Sequence, residues 1–167
     1  MKRIILSLLI ALPMMVMAQV KLGVVNSAEL FNAMPDRVQA EKMLQQRSEQ
    51  SRQETTLLQD EFNKKFADYQ EIASDVKTPE AIKERRIQEL QKLDSEIQAF
   101  RHKELEAIEA QRNELMQPIL DKIQKAIEAV GEEEGMSIVF DTAKTPVAYT
   151  GPYTEDITPK VKARLGL

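Results

Sequence analysis

The side chains able to make or break bonds are few in this chain. Cysteine is absent and histidine occurs once, as His102. Disulfides, thiolate metal sites and lipid-modified cysteines are therefore excluded, and a lone histidine among charged residues reads as a solvated helix position. The acidic candidates for a metal are Asp141 with Asp156, and the run Glu132-Glu133-Glu134. Neither has the alternating oxygen-ligand spacing of a cation-binding loop, and no nucleophile lies beside a base. The expectation is a protein that is not an enzyme and uses no metal or cofactor. What remains is binding chemistry. Phe62, Phe66, Tyr69, Phe100 and Leu105 punctuate a strongly charged stretch, and the basic pairs Lys64-Lys65 and Arg85-Arg86 flank them.

The elements that carry these residues are long helices. No glycine occurs between Gly23 and Gly131, and each glycine in a helix interior would cost about 1 kcal/mol. Glu, Gln, Lys, Arg, Leu, Ile and Ala dominate the span, and they lose little rotamer freedom in a helix. Asp36 after Pro35 predicts one helix start, and Thr78 with Pro79 predicts another. The arms then run from Asp36 to about Ser74 and from Thr78 to about Val130, joined by the turn Ser74–Pro79. Their apolar residues pair in antiparallel register. Phe66 with Ile87, Phe62 with Leu90, Leu44 with Ile108, Val38 with Leu115 and Ile72 with Ile82 all have index sums of 152–154. The centre of that register falls inside the turn, as a two-helix antiparallel coiled coil requires. One section is thin: Gln45 to Thr56 contains no large apolar side chain, while Ile97, Phe100, Leu105 and Ile108 lie opposite, to be covered by another chain or left partly exposed. An arm of roughly 40 residues reaches about 60 Å, against a radius of gyration near 15 Å for a compact chain of this size. The hairpin must project from whatever body the chain ends build.

The ends are richer in strand signals. Leu22-Gly23-Val24-Val25 predicts a strand, followed by a short helix Ala28–Ala33 capped by Asn26 or Ser27 and stopped by Pro35. Pro118 interrupts the return arm and marks either a joint between limb and body or a local bend without functional use. Gly131–Gly135 should end that helix. Met136–Phe140 predicts a second strand, Asp141–Pro146 a turn or hairpin loop, and Val147-Ala148-Tyr149 a third strand. Thr158 before Pro159 predicts the cap of a final helix bearing Val161 and Leu165. Three short strands give one chain too little sheet to stand alone, and association would complete it. Leu22, Val24, Ile138, Phe140 and Val147 are the candidate oligomer-interface and core residues. The fold class is mainly α with a small β part: a helical-hairpin limb, 36–117, projecting from a small α+β body, 19–35 and 118–167.

Residues 1–18 read as a cleavable signal peptide. Lys2 and Arg3 precede the apolar run Ile4–Val16, and Val16-Met17-Ala18 fits a small-residue cleavage rule. The run is shorter than the roughly 20 residues of a membrane span. Cleavage after Ala18 removes two of 23 basic residues and leaves 21 against 27 acidic ones, a net charge of −6. That balance argues against nucleic acid as a partner.

In the order of its pieces, the chain resembles the Skp/OmpH family of periplasmic chaperones for outer-membrane proteins. The resemblance rests on Leu22-Gly23-Val24-Val25-Asn26 with Leu30-Phe31, the charged hairpin, the strand closing in Asp141, then Val147-Ala148-Tyr149 and Asp156-Ile157-Thr158. It covers nearly the whole chain after the signal peptide. The resemblance implies a homotrimer whose small body holds three helical limbs around an unfolded outer-membrane β-barrel protein, with no active site and no ATP. One departure stands out. Familiar members are strongly basic, whereas residues 36–117 here hold 14 basic and 18 acidic residues. Electrostatic capture of membrane surfaces, lipopolysaccharide or acidic clients is not expected from such a limb. A coiled-coil spacer or adaptor of the cell envelope is the alternative reading.

Overall fold

The computed structural model describes residues 20–167, and the expected signal peptide lies outside the described residues. Two helices make up most of the fold. Helix α2, Pro35–Ala73, has 39 residues and is about 58 Å long at 1.5 Å per residue. Helix α3, Glu80–Glu133, has 54 residues and returns antiparallel along it. Between them Asp75 builds the turn: its carboxylate accepts the Lys77 N–H at 2.9 Å and the Thr78 hydroxyl at 2.8 Å. The Lys77 N–H, and then the Thr78 hydroxyl, hold that carboxyl below its usual range.

Both helix caps differ from expectation, that of α2 by two residues and that of α3 by one. Pro35 is the first residue of α2 and Met34 its cap, held extended by the proline that follows. In the same way Pro79 caps α3, because the Thr78 hydroxyl is engaged by Asp75. The far end of α3 falls within the expected stretch Gly131–Gly135, with Gly131 itself buried inside the helix. The helix stops at Gly135, whose φ of 63° is left-handed. The Met136 N–H reaches the Gly131 carbonyl at 2.8 Å and the Gly135 N–H the Glu132 carbonyl at 3.0 Å, which is a Schellman closure.

Strand β1, Leu22–Val25, lies at the centre of a three-stranded parallel sheet. Strand β2, Ile138–Asp141, pairs on one side, and β3, Thr154–Asp156, on the other. The expected third strand Val147-Ala148-Tyr149 does not form, and no hairpin follows Asp141. Pro146 and Pro152 cannot donate to a ladder, and residues 142–153 instead carry the chain to the opposite edge of β1. The polar triplet Thr154-Glu155-Asp156 takes the strand position through its backbone, and the next residue, Ile157, donates to the Val24 carbonyl at 2.9 Å.

Side chains alternate across the sheet. Gly23, Val25 and Val139 face the helices. A Cβ on Gly23 would meet Met136 Sδ at 3.1 Å and Val139 Cγ2 at 3.3 Å, so glycine lets the strand lie close beneath them. Helix α1, Ser27–Ala33, supplies Leu30, and helix α4, Thr158–Leu165, supplies Val161. Both pack with Met34, Ile157 and the α3 residues Ile119, Ile123, Ala126 and Val130 in one core. Helix α3 runs unbroken through Pro118, and the buried α3 residues of that core begin at the next position. Asn26 caps α1 by accepting the Glu29 N–H at 3.0 Å. Thr158 does not cap α4. It is that helix's first residue, and its hydroxyl accepts the Asn26 N–H at 3.0 Å, tying α4 to the end of β1.

Candidate functional site

Three surfaces could bind, and the expected residues divide among them. The first is on the limb. Phe62, Phe66 and Tyr69 are spaced four and three apart and share one stripe of α2. With Ile87, Leu90, Gln91 and Asp94 of α3 they line a groove of about 280 Å³. The Phe62 and Phe66 rings stack with centroids 6.1 Å apart and planes 7° from parallel, a favourable aromatic arrangement. Leu90 is buried, whereas Phe66 remains 42% exposed. The stripe thus packs on the seam along one edge and meets solvent along the other.

Phe100 and Leu105 do not join this groove. Phe100 is half-buried, but Leu105 points away from the seam and is 67% exposed. Opposite the polar stretch Gln45–Thr56, Leu105 is thus exposed, one of the two outcomes expected for it. The seam position is taken by Glu104. It is only 9% exposed, and its Oε1 accepts from Arg47 Nη2 at 2.8 Å. The signal was available as a seven-residue repeat: Leu90, Ile97 and Glu104 occupy equivalent positions of one seam. An apolar-only stripe passes over a charged residue in that register. The polar section of α2 is thereby matched at Glu104 by a charged layer, while Leu105 beside it stays exposed and Phe100 half-buried.

The second surface is the outer face of the sheet. Leu22 pairs with Ile138 and Val24 with Phe140. These four apolar side chains form one patch opposite the core, with Ile138 49% and Phe140 41% exposed. Parallel sheets ordinarily have both faces covered, and here one chain covers one face. Val147 lies half-buried in the irregular link 142–153, outside the three strands.

The third surface is charged and binds only to itself. Lys21 Nζ contacts Glu134 at 3.1 Å and Glu155 at 3.0 Å, while Lys160 Nζ contacts each of the same two carboxylates at 2.6 Å. This closed ring of four joins β1, the end of α3, β3 and α4. Lys21 is raised above the usual lysine range, by Glu155 and then Glu134, and Lys160 by Glu134 and then Glu155. Both glutamates are lowered, by Lys160 first and Lys21 second. Asp141 has a structural task as well. Burial pushes its carboxyl up, but the Ser27 and Ala143 N–H groups at 3.1 Å and nearby Lys144 outweigh this and leave it lowered. Asp156 accepts the Thr158 N–H at 2.9 Å. Of the basic pairs, Lys65 meets Glu61, and both Arg85 and Arg86 meet Glu89. Among the described residues no three His, Asp or Glu side chains are placed to hold a metal ion. No described helix is long and apolar enough to cross a membrane.

Comparison with known proteins bears on what these surfaces serve. A family model described as "Outer membrane protein (OmpH-like)" matches residues 21–165. The Chaperone protein Skp of Vibrio cholerae serotype O1 is 32% identical over 137 residues, covering 74% of this chain and 72% of that protein. The Chaperone protein Skp of Pectobacterium atrosepticum is 27% identical over 160 residues and is covered, like this chain, to 94%. The crystal structure of an OmpH-like protein of Caulobacter crescentus CB15, described as an outer membrane chaperone, superposes with a TM-score of 0.72. The match covers 89% of this chain and 85% of that one at 16% identity, and so speaks for the fold alone.

Proposed function

The chain belongs to the OmpH-like outer membrane protein family, and from that premise we propose that it is an ATP-independent periplasmic holdase for unfolded outer-membrane proteins. It is a chaperone-family protein and not an enzyme. In this reading residues 1–18 direct export and are removed after Ala18. Three copies associate through the open sheet face formed by Leu22, Val24, Ile138 and Phe140, and the client is held between their limbs.

The observation that carries the reading is the half-open aromatic groove of Phe62, Phe66 and Tyr69 on an otherwise charged limb. A holdase must grip many sequences and release them. Each buried apolar side chain contributes roughly 1.5–3 kcal/mol gross, and ordering costs remove much of it. Several such contacts facing one cavity raise the local concentration and give tight but reversible capture. Leu105, turned out of the seam, and half-buried Phe100 are further client contacts in this proposal. The grip is apolar, because the limb has no net positive charge.

Aggregation suppression of an unfolded outer-membrane barrel protein, measured together with oligomer mass by light scattering, tests the reading. Phe62→Ser with Phe66→Ser should weaken suppression while leaving the mass unchanged, and Phe100→Ser with Leu105→Ser should do so less strongly. Wild-type protein that fails to suppress aggregation, and captures one or two folded envelope proteins instead, would replace the holdase with the adaptor.

A further inference from the structure

We propose that the pole of the body opposite the limb tip is a membrane-docking surface, seated in the headgroup layer of a phospholipid bilayer through Tyr153, Tyr149 and Val20. Helix α3 runs from the tip to Glu133, and the chain reverses at Gly135. Strand β2 therefore begins at the end of the body farthest from the tip, and β1 and β3, parallel to it in the sheet, begin there too. Leu22 pairs with Thr154, so Val20 leaves the sheet beside the turn that opens β3. In that turn the Thr154 N–H reaches the Gly151 carbonyl at 3.0 Å, and Pro152 fixes its first corner. Tyr153 is 87% exposed, Tyr149 80% and Val20 64%. A Cβ on Gly151 would meet the Tyr149 ring at 3.3 Å, so that ring lies along the turn.

Charge singles out this pole. Residues 145–154 form the longest run without a charged side chain among the described residues, in a chain of which 30% is charged. Behind the turn, the ring of Lys21, Lys160, Glu134 and Glu155 is closed and its charges cancel. Tyrosine, apolar in its ring and polar at its hydroxyl, favours the boundary between lipid and water. A protein partner would need a pocket matched to each projecting ring, whereas the fluid headgroup layer accepts rings at any spacing. The start of the chain points the same way. The apolar run Ile4–Val16 joins the body at Val20, so during export this pole faces the membrane first, an argument that rests on the export reading above. The acidic limb then points away from the bilayer, and the contact gains nothing from anionic lipid.

The chain has no native tryptophan, so Tyr153→Trp in the mature protein is a unique fluorescent reporter. With phosphatidylcholine vesicles its emission should shift to the blue and be quenched by brominated lipid. Val76→Trp, at a limb-tip position 97% exposed, should show neither change. Tyr149→Ser with Tyr153→Ser should weaken vesicle binding, read by flotation, roughly tenfold. Tyr153→Ser alone should weaken it less, and oligomer mass should stay unchanged in both. Added phosphatidylglycerol should not tighten binding, because the mature chain is acidic. An unshifted Tyr153→Trp, a shift at Val76→Trp in its place, or binding that needs the anionic lipid would overturn the proposal. So would a Tyr153→Trp shift that follows protein concentration without vesicles, which assigns the turn to contact between copies. Vesicle binding needs no client, and client holding without vesicles should be unchanged in the serine variants, so failure of docking and failure of the holdase are read apart. Removal of residues 1–18, read as the mass of protein recovered from the periplasm, tests the export reading separately.

Discussion

Helix α2 buries one of its 39 residues, Ala40, and that residue belongs to the body core. In the body, β1, α1, α4 and the last part of α3 together bury Val25, Leu30, Ile119, Ile123, Val130 and Val161 around fully enclosed Met34 and Ile157. The two regions solve the same problem differently. The body gains stability from a closed three-dimensional core. The limb gains it from a seam one side chain wide, backed by helix propensity and by pairs such as Arg37–Glu41 and Lys65–Glu61 one turn apart, each worth a few tenths of a kcal/mol. A seam leaves apolar side chains half in solvent, and that residual exposure is available for binding. A closed core leaves none.

The difference can be broken most forcefully in the body. Ile157→Ala or Leu30→Ala should cost about 2–5 kcal/mol in denaturant unfolding, with the loss seen as a lower midpoint. Ile97→Ala in the seam should cost less, since α2 and α3 can close around the gap. Equal losses at the two sites would mean that the limb is packed like a core. Gly135→Ala should cost about 1–2 kcal/mol, because the left-handed backbone at the end of α3 opposes a Cβ. Circular dichroism during thermal melting reads that effect.

On the open sheet face, Ile138→Asp with Phe140→Asp should abolish self-association while leaving the hydrogen-exchange protection of the body core in place. Sedimentation of the variant beside wild type decides it. A smaller effect separates the regions by pH. Glu134 and Glu155 are held below the ordinary carboxylate range in the folded chain. Their contribution is complete above the unfolded value and is lost as pH falls through the lowered folded values. Lys21 and Lys160 are raised, so their contribution is complete below the unfolded lysine value and lost only as pH climbs through the raised one. Glu134→Gln with Glu155→Gln should therefore flatten the acid limb of the stability profile of the body. Unchanged acid sensitivity would assign that limb to other carboxylates, such as Asp141. Salt should matter least for client holding: an apolar grip predicts little loss of aggregation suppression between low and high ionic strength.

The limb was legible because its information is local. A glycine-free run, charged helix formers and apolar residues at helical spacing specify two helices, and nearly constant index sums specify their pairing around a turn at Ser74–Pro79. Phe62, Phe66, Leu90 and Ile87 fall together in the groove as that register requires. The register also contained Glu104, which a search for apolar residues alone passes over. The body was less legible. Leu22, Val24, Ile138 and Phe140 were recognisable as strand residues, but their common outward face follows from the alternation of a sheet whose partners had to be known first.

By itself, then, the order of residues determined the hairpin, its length and its register, because helices and seams arise from contacts within a few turns and from one antiparallel pairing. Tertiary structure alone decided that polar Thr154-Glu155-Asp156, and not apolar Val147-Ala148-Tyr149, completes the sheet, and that both edge strands run parallel to β1. A strand is chosen by the backbone hydrogen bonds that distant segments offer it, and side-chain type records that choice only weakly.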